Sequence, residues 1–187
     1  MDSDRRRWDK RYADVSTASP AAPDALAAPG APADVRRAGG RALDLACGTG
    51  AVSLWLADGG MEVLAVDVSP RAIALLRRAA GDAGVSALVD ARVGDLDAGL
   101  PDPGPFDVIV CQRFRDRRLY PAIVTALTPG GYGCVTVLTV VDRRDPQGRF
   151  RAPRRELLDA FAGSELTVLA HRAADGTASI VLRRPPP

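Results

Sequence analysis

The sequence predicts an α/β fold on a doubly wound, mostly parallel sheet, and three observations carry that prediction. From residue 41 onward, short apolar runs alternate with segments of helical periodicity. Strands that alternate with helices lie parallel and are joined by right-handed crossovers. The last two apolar runs, 166–170 and 178–182, are separated only by a turn containing Asp175-Gly176, so one of the pair must run antiparallel.

Each element has its own signal. Residues 42–46 are a short apolar run with one acid, Asp44, and read as the first strand. Residues 51–57 carry Val52, Trp55 and Leu56 at helical spacing, and Gly59-Gly60 stops that helix. Residues 62–66 form the second strand. Ser69-Pro70 starts the next helix, a cap residue followed by proline at the first helical position. Ile73, Leu76 and Ala80 give this helix a buried stripe, and Gly81 closes it. Residues 87–93 are the third strand and 107–111 the fourth, which is almost wholly apolar. Leu119, Ile123 and Leu127 mark a helix closed by Pro129-Gly130-Gly131. Residues 134–141 are the fifth strand, and 154–161 a helix with Leu157, Leu158 and Phe161 inward. The two runs named above complete the sheet. No repeat of 20–50 residues interrupts this order.

The chain of 187 residues suits one folded domain. Residues 1–38 read as a basic-aromatic segment (RRRWDKRYA at 5–13) and an Ala/Pro-rich tether, and residues 39–187 as the domain. Three-quarters of residues 18–33 are Ala or Pro, a composition expected to bury little and to stay flexible. The N-terminus is charged and lacks the apolar core of a signal peptide, and no apolar run approaches the roughly eighteen residues of a membrane helix. A cytoplasmic protein without a membrane partner is expected. A net charge of +2 is too small for a nucleic-acid binder. Cys47, Cys111 and Cys134 have no paired spacing and His171 is the lone histidine, so no metal site is expected. Lys10 is the only lysine, which removes Schiff-base, Walker and Tyr-Lys chemistry from the rest of the chain.

In open α/β sheets ligands bind beyond the carboxyl ends of the strands. After the first strand comes Ala46-Cys47-Gly48-Thr49-Gly50, whose glycines let backbone approach a ligand and whose following helix favours a carboxylate. After the second comes Asp67, suited to accept two ribose hydroxyls; it would also serve as a cap before Ser69-Pro70. After the third come Asp95 and Leu96, an acceptor for an exocyclic amine beside an apolar face, or simply a turn. Adenosine with an amino-acid tail uses all three. A dinucleotide is the competing ligand, because Gly48 to Ser53 nearly fits G-x-G-x-x-G with serine at the third place. Against it stand Asp44 inside a strand, the second acid Asp95, and the lack of groups for hydride chemistry.

The motifs LDLACGTG, VLAVDVS, VGDL, FDVIVCQ and LTPGGYG occur in the order seen in class I S-adenosylmethionine-dependent methyltransferases, which the chain resembles over roughly residues 8–183. WDKRYA before a Pro-rich segment is similar to the bacterial small-molecule branch, including tellurite-resistance and thiopurine methyltransferases. The resemblance implies a Rossmann-like seven-stranded sheet whose last strand is inserted antiparallel, with S-adenosylmethionine as cofactor. It implies that Asp44, Ala46, Gly48 and Gly50 surround the methionine part, and that Asp67 and Val68 meet ribose and adenine. Asp95 and Leu96 would meet the adenine edge, and Cys111 and Gln112 would lie beside the methyl group. Ala46 replaces a frequent glycine, Cys111 replaces a frequent Asp or Asn, and Asn/Asp-Pro-Pro-Tyr is absent, which disfavours nucleobase or amide nitrogen as acceptor.

The expected reaction is methyl transfer to a small-molecule acceptor, in a monomer or homodimer. Alternatives are a non-catalytic S-adenosylmethionine-binding module and a nicotinamide-dependent oxidoreductase. The catalytic residue is unknown, since no base stands out. Trp8 and Tyr12 are lid candidates, or loosely packed tail residues. Arg113 and Arg115, with Arg117 and Arg118, form a solvated face or bind an anionic acceptor; six arginines between 143 and 155 read first as a soluble loop.

Overall fold

The computed structural model describes residues 2–139 and 151–187. The chain divides into two units, one of residues up to Ala22 with Arg36–Asp102, the other Pro23–Val35 with Pro103–Pro187.

The first unit holds β1 (Arg41–Leu45), β2 (Glu62–Asp67) and β3 (Val89–Val93), all parallel, with β2 between the others. Asp44 lies level with Ala65, and Asp67 with Val93, so the acids sit toward the carboxyl ends. β1 and β2 are buried almost throughout, as strands covered on both faces must be. The helices are α1 (Asp2–Arg11), α2 (Ala51–Asp58) and α3 (Pro70–Asp82). The expected cap is present: the Ser69 side chain accepts the Ala72 N–H, with Pro70 at the first helical position. The predicted stripe of Ile73, Leu76 and Ala80 is buried, and the helix runs one residue past Gly81. Helical α1 was not foreseen, because its charged residues carry no apolar period.

The second unit holds β4 (Phe106–Gln112), β5 (Leu127–Thr139), the two-residue β6 (Arg151–Ala152), β7 (Thr167–Ala174) and β8 (Thr177–Arg183). β4 and β5 are parallel, and β8 runs antiparallel to both β5 and β7. This is the antiparallel strand expected near the C-terminus. The helices are α4 (Tyr120–Ala126) and α5 (Glu156–Phe161). Pro129-Gly130-Gly131 lies inside β5 rather than closing the helix ahead of it, in a bulge where the register jumps from Phe106↔Leu127 to Val108↔Tyr132. A Cβ on Gly131 would meet the Thr128 and Asp107 carbonyl oxygens at 2.9 and 3.0 Å, so glycine is required there.

The Ala/Pro stretch buries more than its composition suggested. A single 3-10 turn (Asp24–Ala27) packs on β5, β7 and β8, with Ala25, Ala28 and Val35 buried. Alanine is small enough to lie flat on a sheet face, a fit that composition does not register. Of the expected elements, the end of the fifth strand and Arg143, Arg144 and Arg149 lie outside the described residues. Among the described residues no helix is long and apolar enough to cross a membrane. The strands and helices make an α/β, Rossmann-like fold with a mostly parallel mixed sheet.

Candidate functional site

The loop after β1 is a tight left-handed path. Ala46, Gly48 and Gly50 have φ of 54°, 56° and 86°. Its ends are tied by hydrogen bonds: Cys47 N–H donates to Val66 O at 3.1 Å and Gly50 N–H to Cys47 O at 3.0 Å. The two glycines serve different ends. A Cβ on Gly50 would stand 2.1 Å from Leu76 Cδ1, so Gly50 permits α2 to pack on α3. A Cβ on Gly48 would meet the Tyr12 hydroxyl at 3.0 Å, so only Gly48 keeps open space on the side that α1 covers. Ala46 holds the same handedness without glycine's freedom, a strain of roughly 1 kcal/mol.

Two buried carboxylates lie against this loop. Asp67 accepts the Gly48 N–H on Oδ2 and the Ser69 N–H on Oδ1, each at 2.9 Å. One lone pair on each oxygen remains for a further donor. Asp44, 2% exposed, accepts the Ser53 hydroxyl at 2.6 Å. Among the described residues neither carboxylate has an Arg, Lys or His partner. Asp44 is pushed up to about 7, chiefly by burial, with the pull of the Ser53 hydrogen bond opposing it and the Asp67 charge adding to it. Burial likewise raises Asp67, opposed by the Ser69 and Gly48 N–H groups. The Cys47 thiol is raised by burial and by both acids. The Tyr12 phenol is pushed up to about 12 by burial, with Asp67 and Cys47 adding to it. The cluster is acidic throughout, and unpaired buried negative charge is costly.

The end of β3 joins the same place, since Gly94 N–H donates to Asp67 O at 3.0 Å. Asp95 accepts the Asp97 N–H at 2.9 Å and so caps a single 3-10 turn, using one oxygen. Leu96 is buried and Val68 half-buried. Trp8 of α1 and Tyr12 just past its end stack at 6.0 Å. The first unit thus gathers Asp44, Ala46, Gly48, Asp67 and Tyr12 about one loop. Sequence reasoning missed Asp9, Ser53 and Arg71. Ser53 carried a signal, because it stands at the third-glycine place of the near-match motif, where its hydroxyl holds Asp44.

In the second unit, Cys111 is buried at the end of β4 with Sγ 3.6 Å from Phe114 O. Gln112 Oε1 accepts the Asp24 N–H at 2.8 Å, and Arg113, at φ 58°, donates its N–H to Thr136 O. Three of the four arginines after β4 are matched with acids: Arg113 with Asp24 at 3.0 Å, Arg115 with Glu156 in a two-pronged pair at 2.6 and 2.5 Å, Arg118 with Asp116. Of the two readings given for this segment, a solvated face or an anion site, the ion pairs of Arg113 and Arg115 suit the solvated face. Tyr120 is buried against Phe161, its hydroxyl without a partner among the described residues.

Comparison with known proteins bears on the same residues. A family model described as a methyltransferase domain matches residues 42–131, from β1 into the bulge of β5. The ubiquinone biosynthesis O-methyltransferase of Xanthomonas euvesicatoria pv. vesicatoria is 36% identical over 100 residues, covering 50% of this chain and 41% of that protein. The chain thus spans about two fifths of the length of that curated relative. Among solved structures, the [4+2]-cyclase SpnF has a TM-score of 0.67 at 22% identity, covering 80% of this chain and 76% of that one. A structure from Methanosarcina mazei, titled among SAM-dependent methyltransferases, has a TM-score of 0.63 at 18% identity, covering 81% and 95%. These solved structures share the fold. The family-model match spans the strand ends and loops that form the acidic cluster, and over residues 42–131 the chain is similar to methyltransferase domains.

Proposed function

We propose that this chain transfers a methyl group from S-adenosylmethionine to a small-molecule acceptor and releases S-adenosylhomocysteine. One observation carries the reading: Asp44 and Asp67 are buried beside a glycine loop without a cation of their own among the described residues. A ligand with an ammonium and a sulfonium relieves that charge. A dinucleotide would set a pyrophosphate against it, so the nicotinamide reading is electrostatically disfavoured despite the near-match motif.

The residues divide the ligand between them. Asp44, Ala46, Gly48 and Gly50 form the surroundings of the methionine part, with Asp44 acting on the ammonium through charge and with Gly48 leaving room. The free lone pairs of Asp67 suit two ribose hydroxyls, with Val68 on the adenine side. Asp95 keeps one oxygen for the exocyclic amine, and Leu96 offers an apolar face. Cys111 and Gln112 stand at the end of β4, the family's position beside the transferred group, and Trp8 and Tyr12 cover the cofactor.

The sulfonium supplies an intrinsically reactive methyl group, so alignment and exclusion of water are the protein's main contribution. The pairing of Arg113 and Arg115 with their own acids favours a neutral acceptor over an anionic one. Fold likeness does not choose the acceptor, since a cyclase has the same fold. The test is release of S-adenosylhomocysteine over a panel of phenols, thiols and carboxylates. Turnover with a neutral phenol or thiol is expected. Cofactor binding with no turnover on any member would replace the enzyme with a binding module.

A further inference from the structure

Helices α1 and α3 exchange caps. The Ser69 hydroxyl accepts the Ala72 N–H at 3.1 Å, which leaves its own proton to donate, and it donates to Asp9 Oδ1 at 2.5 Å. The same Asp9 oxygen receives the Arg71 N–H at 3.4 Å. An acid of α1 therefore sits at the N-terminus of the 13-residue α3, where a helix favours negative charge. In return, Arg71 of the first turn of α3 reaches the chain just past α1, donating Nε to Tyr12 O at 2.8 Å and Nη2 to Ala13 O. Cationic side chains are favoured at that end of a helix. Both halves converge on Tyr12, whose hydroxyl is the group that a Cβ on Gly48 would meet.

We propose that Asp9, with Arg71, is a positioning residue for the cofactor site: it touches no ligand and acts by fixing the Tyr12 phenol over Gly48 and Asp67. The inference rests on the proposed reading of this loop as the S-adenosylmethionine site. It explains why a charged helix without an apolar stripe has a defined place on the fold. Its contacts with α3 are polar and reciprocal, and they hold whether or not the acceptor is known.

The test has two arms on the full chain. In the first, without ligand, trypsin cleavage after Lys10 and Arg11 is followed by mass spectrometry. Asp9→Ala should speed cleavage several-fold. Asp9→Asn should stay near wild type, because its amide oxygen still accepts from Ser69 and Arg71. Equal rates for Asp9→Ala and wild type would overturn the latch. In the second arm, S-adenosylhomocysteine affinity is measured for Asp9→Ala, Tyr12→Ala and the double variant. Asp9→Ala should weaken binding about three- to tenfold, and the double variant should bind no worse than Tyr12→Ala alone. Additive losses would show that Asp9 does not act through Tyr12 and would overturn the proposal. A wild-type chain that does not bind S-adenosylhomocysteine would overturn the proposed function instead, with the proteolysis arm still deciding the latch.

Discussion

Replacing Asp44 by asparagine should change how the stability of the ligand-free chain depends on pH. Asp44 is buried, has one hydrogen-bond donor and no cation among the described residues, and is pushed from 3.8 up to about 7. The groups around it are Ser53 of α2, Asp67 of β2 and Cys47 of the loop, none of them basic. A carboxyl whose folded pKa lies above its unfolded value holds its proton more tightly when folded. Its stabilising contribution is therefore complete below about 3.8 and is lost as pH rises through about 7. Roughly three pH units at 1.36 kcal/mol each give about 4 kcal/mol lost by pH 8. Relaxation around the charge reduces this, so a loss of about 2–4 kcal/mol is expected. Asp44→Asn keeps an acceptor for Ser53 but buries an amide N–H₂, a cost of about 1–3 kcal/mol at every pH. The Asp44→Asn protein should thus be the less stable one at about pH 4.5, and its deficit should shrink by about 2–4 kcal/mol on going to about pH 8. Urea unfolding followed by tryptophan fluorescence at four or five pH values measures this. A difference between the two proteins that stays constant across the range would refute the reasoning.

Three further outcomes follow from the loop and from the second unit. Ala46→Gly should leave stability unchanged or raise it by up to about 0.6 kcal/mol, read from the urea midpoint, because the strain of roughly 1 kcal/mol at a φ of 54° is partly offset by glycine's extra unfolded freedom. Gly50→Ala should destabilise by about 2–4 kcal/mol, since a Cβ would stand 2.1 Å from Leu76 Cδ1 at a φ of 86°, and the same unfolding curves would show it. Tyr120→Phe should leave stability unchanged or raise it by up to about 1 kcal/mol in thermal unfolding, because the hydroxyl it removes is buried without a partner.

How far the sequence could be read depended on what each signal was made of. The parallel sheet, the Ser69-Pro70 cap and the antiparallel β8 were legible because periodicity, cap chemistry and a short turn each act within a few residues. The Pro-Gly-Gly segment was misplaced because a bulge depends on the neighbouring strand, where the Asp107 carbonyl demands a bare Cα. Helix α1 was missed because its stability comes from polar exchanges with α3, about sixty residues away in sequence. The positions of Asp44, Gly48 and Asp67 were readable from their places after strands. The hydroxyl of Ser53 on Asp44 was not, since it needs the first turn of α2 folded back on β1. The arginines after β4 looked available for an anion only until Asp24 and Glu156 were found opposite them.

An acidic loop with no cation among the described residues should select a cationic nucleoside over a dinucleotide. The most direct measurement is calorimetric titration of the chain with S-adenosylmethionine, S-adenosylhomocysteine and NAD under one set of conditions. Saturable binding of the first two and none of NAD is expected. Binding of NAD without binding of either sulfur nucleoside would contradict it.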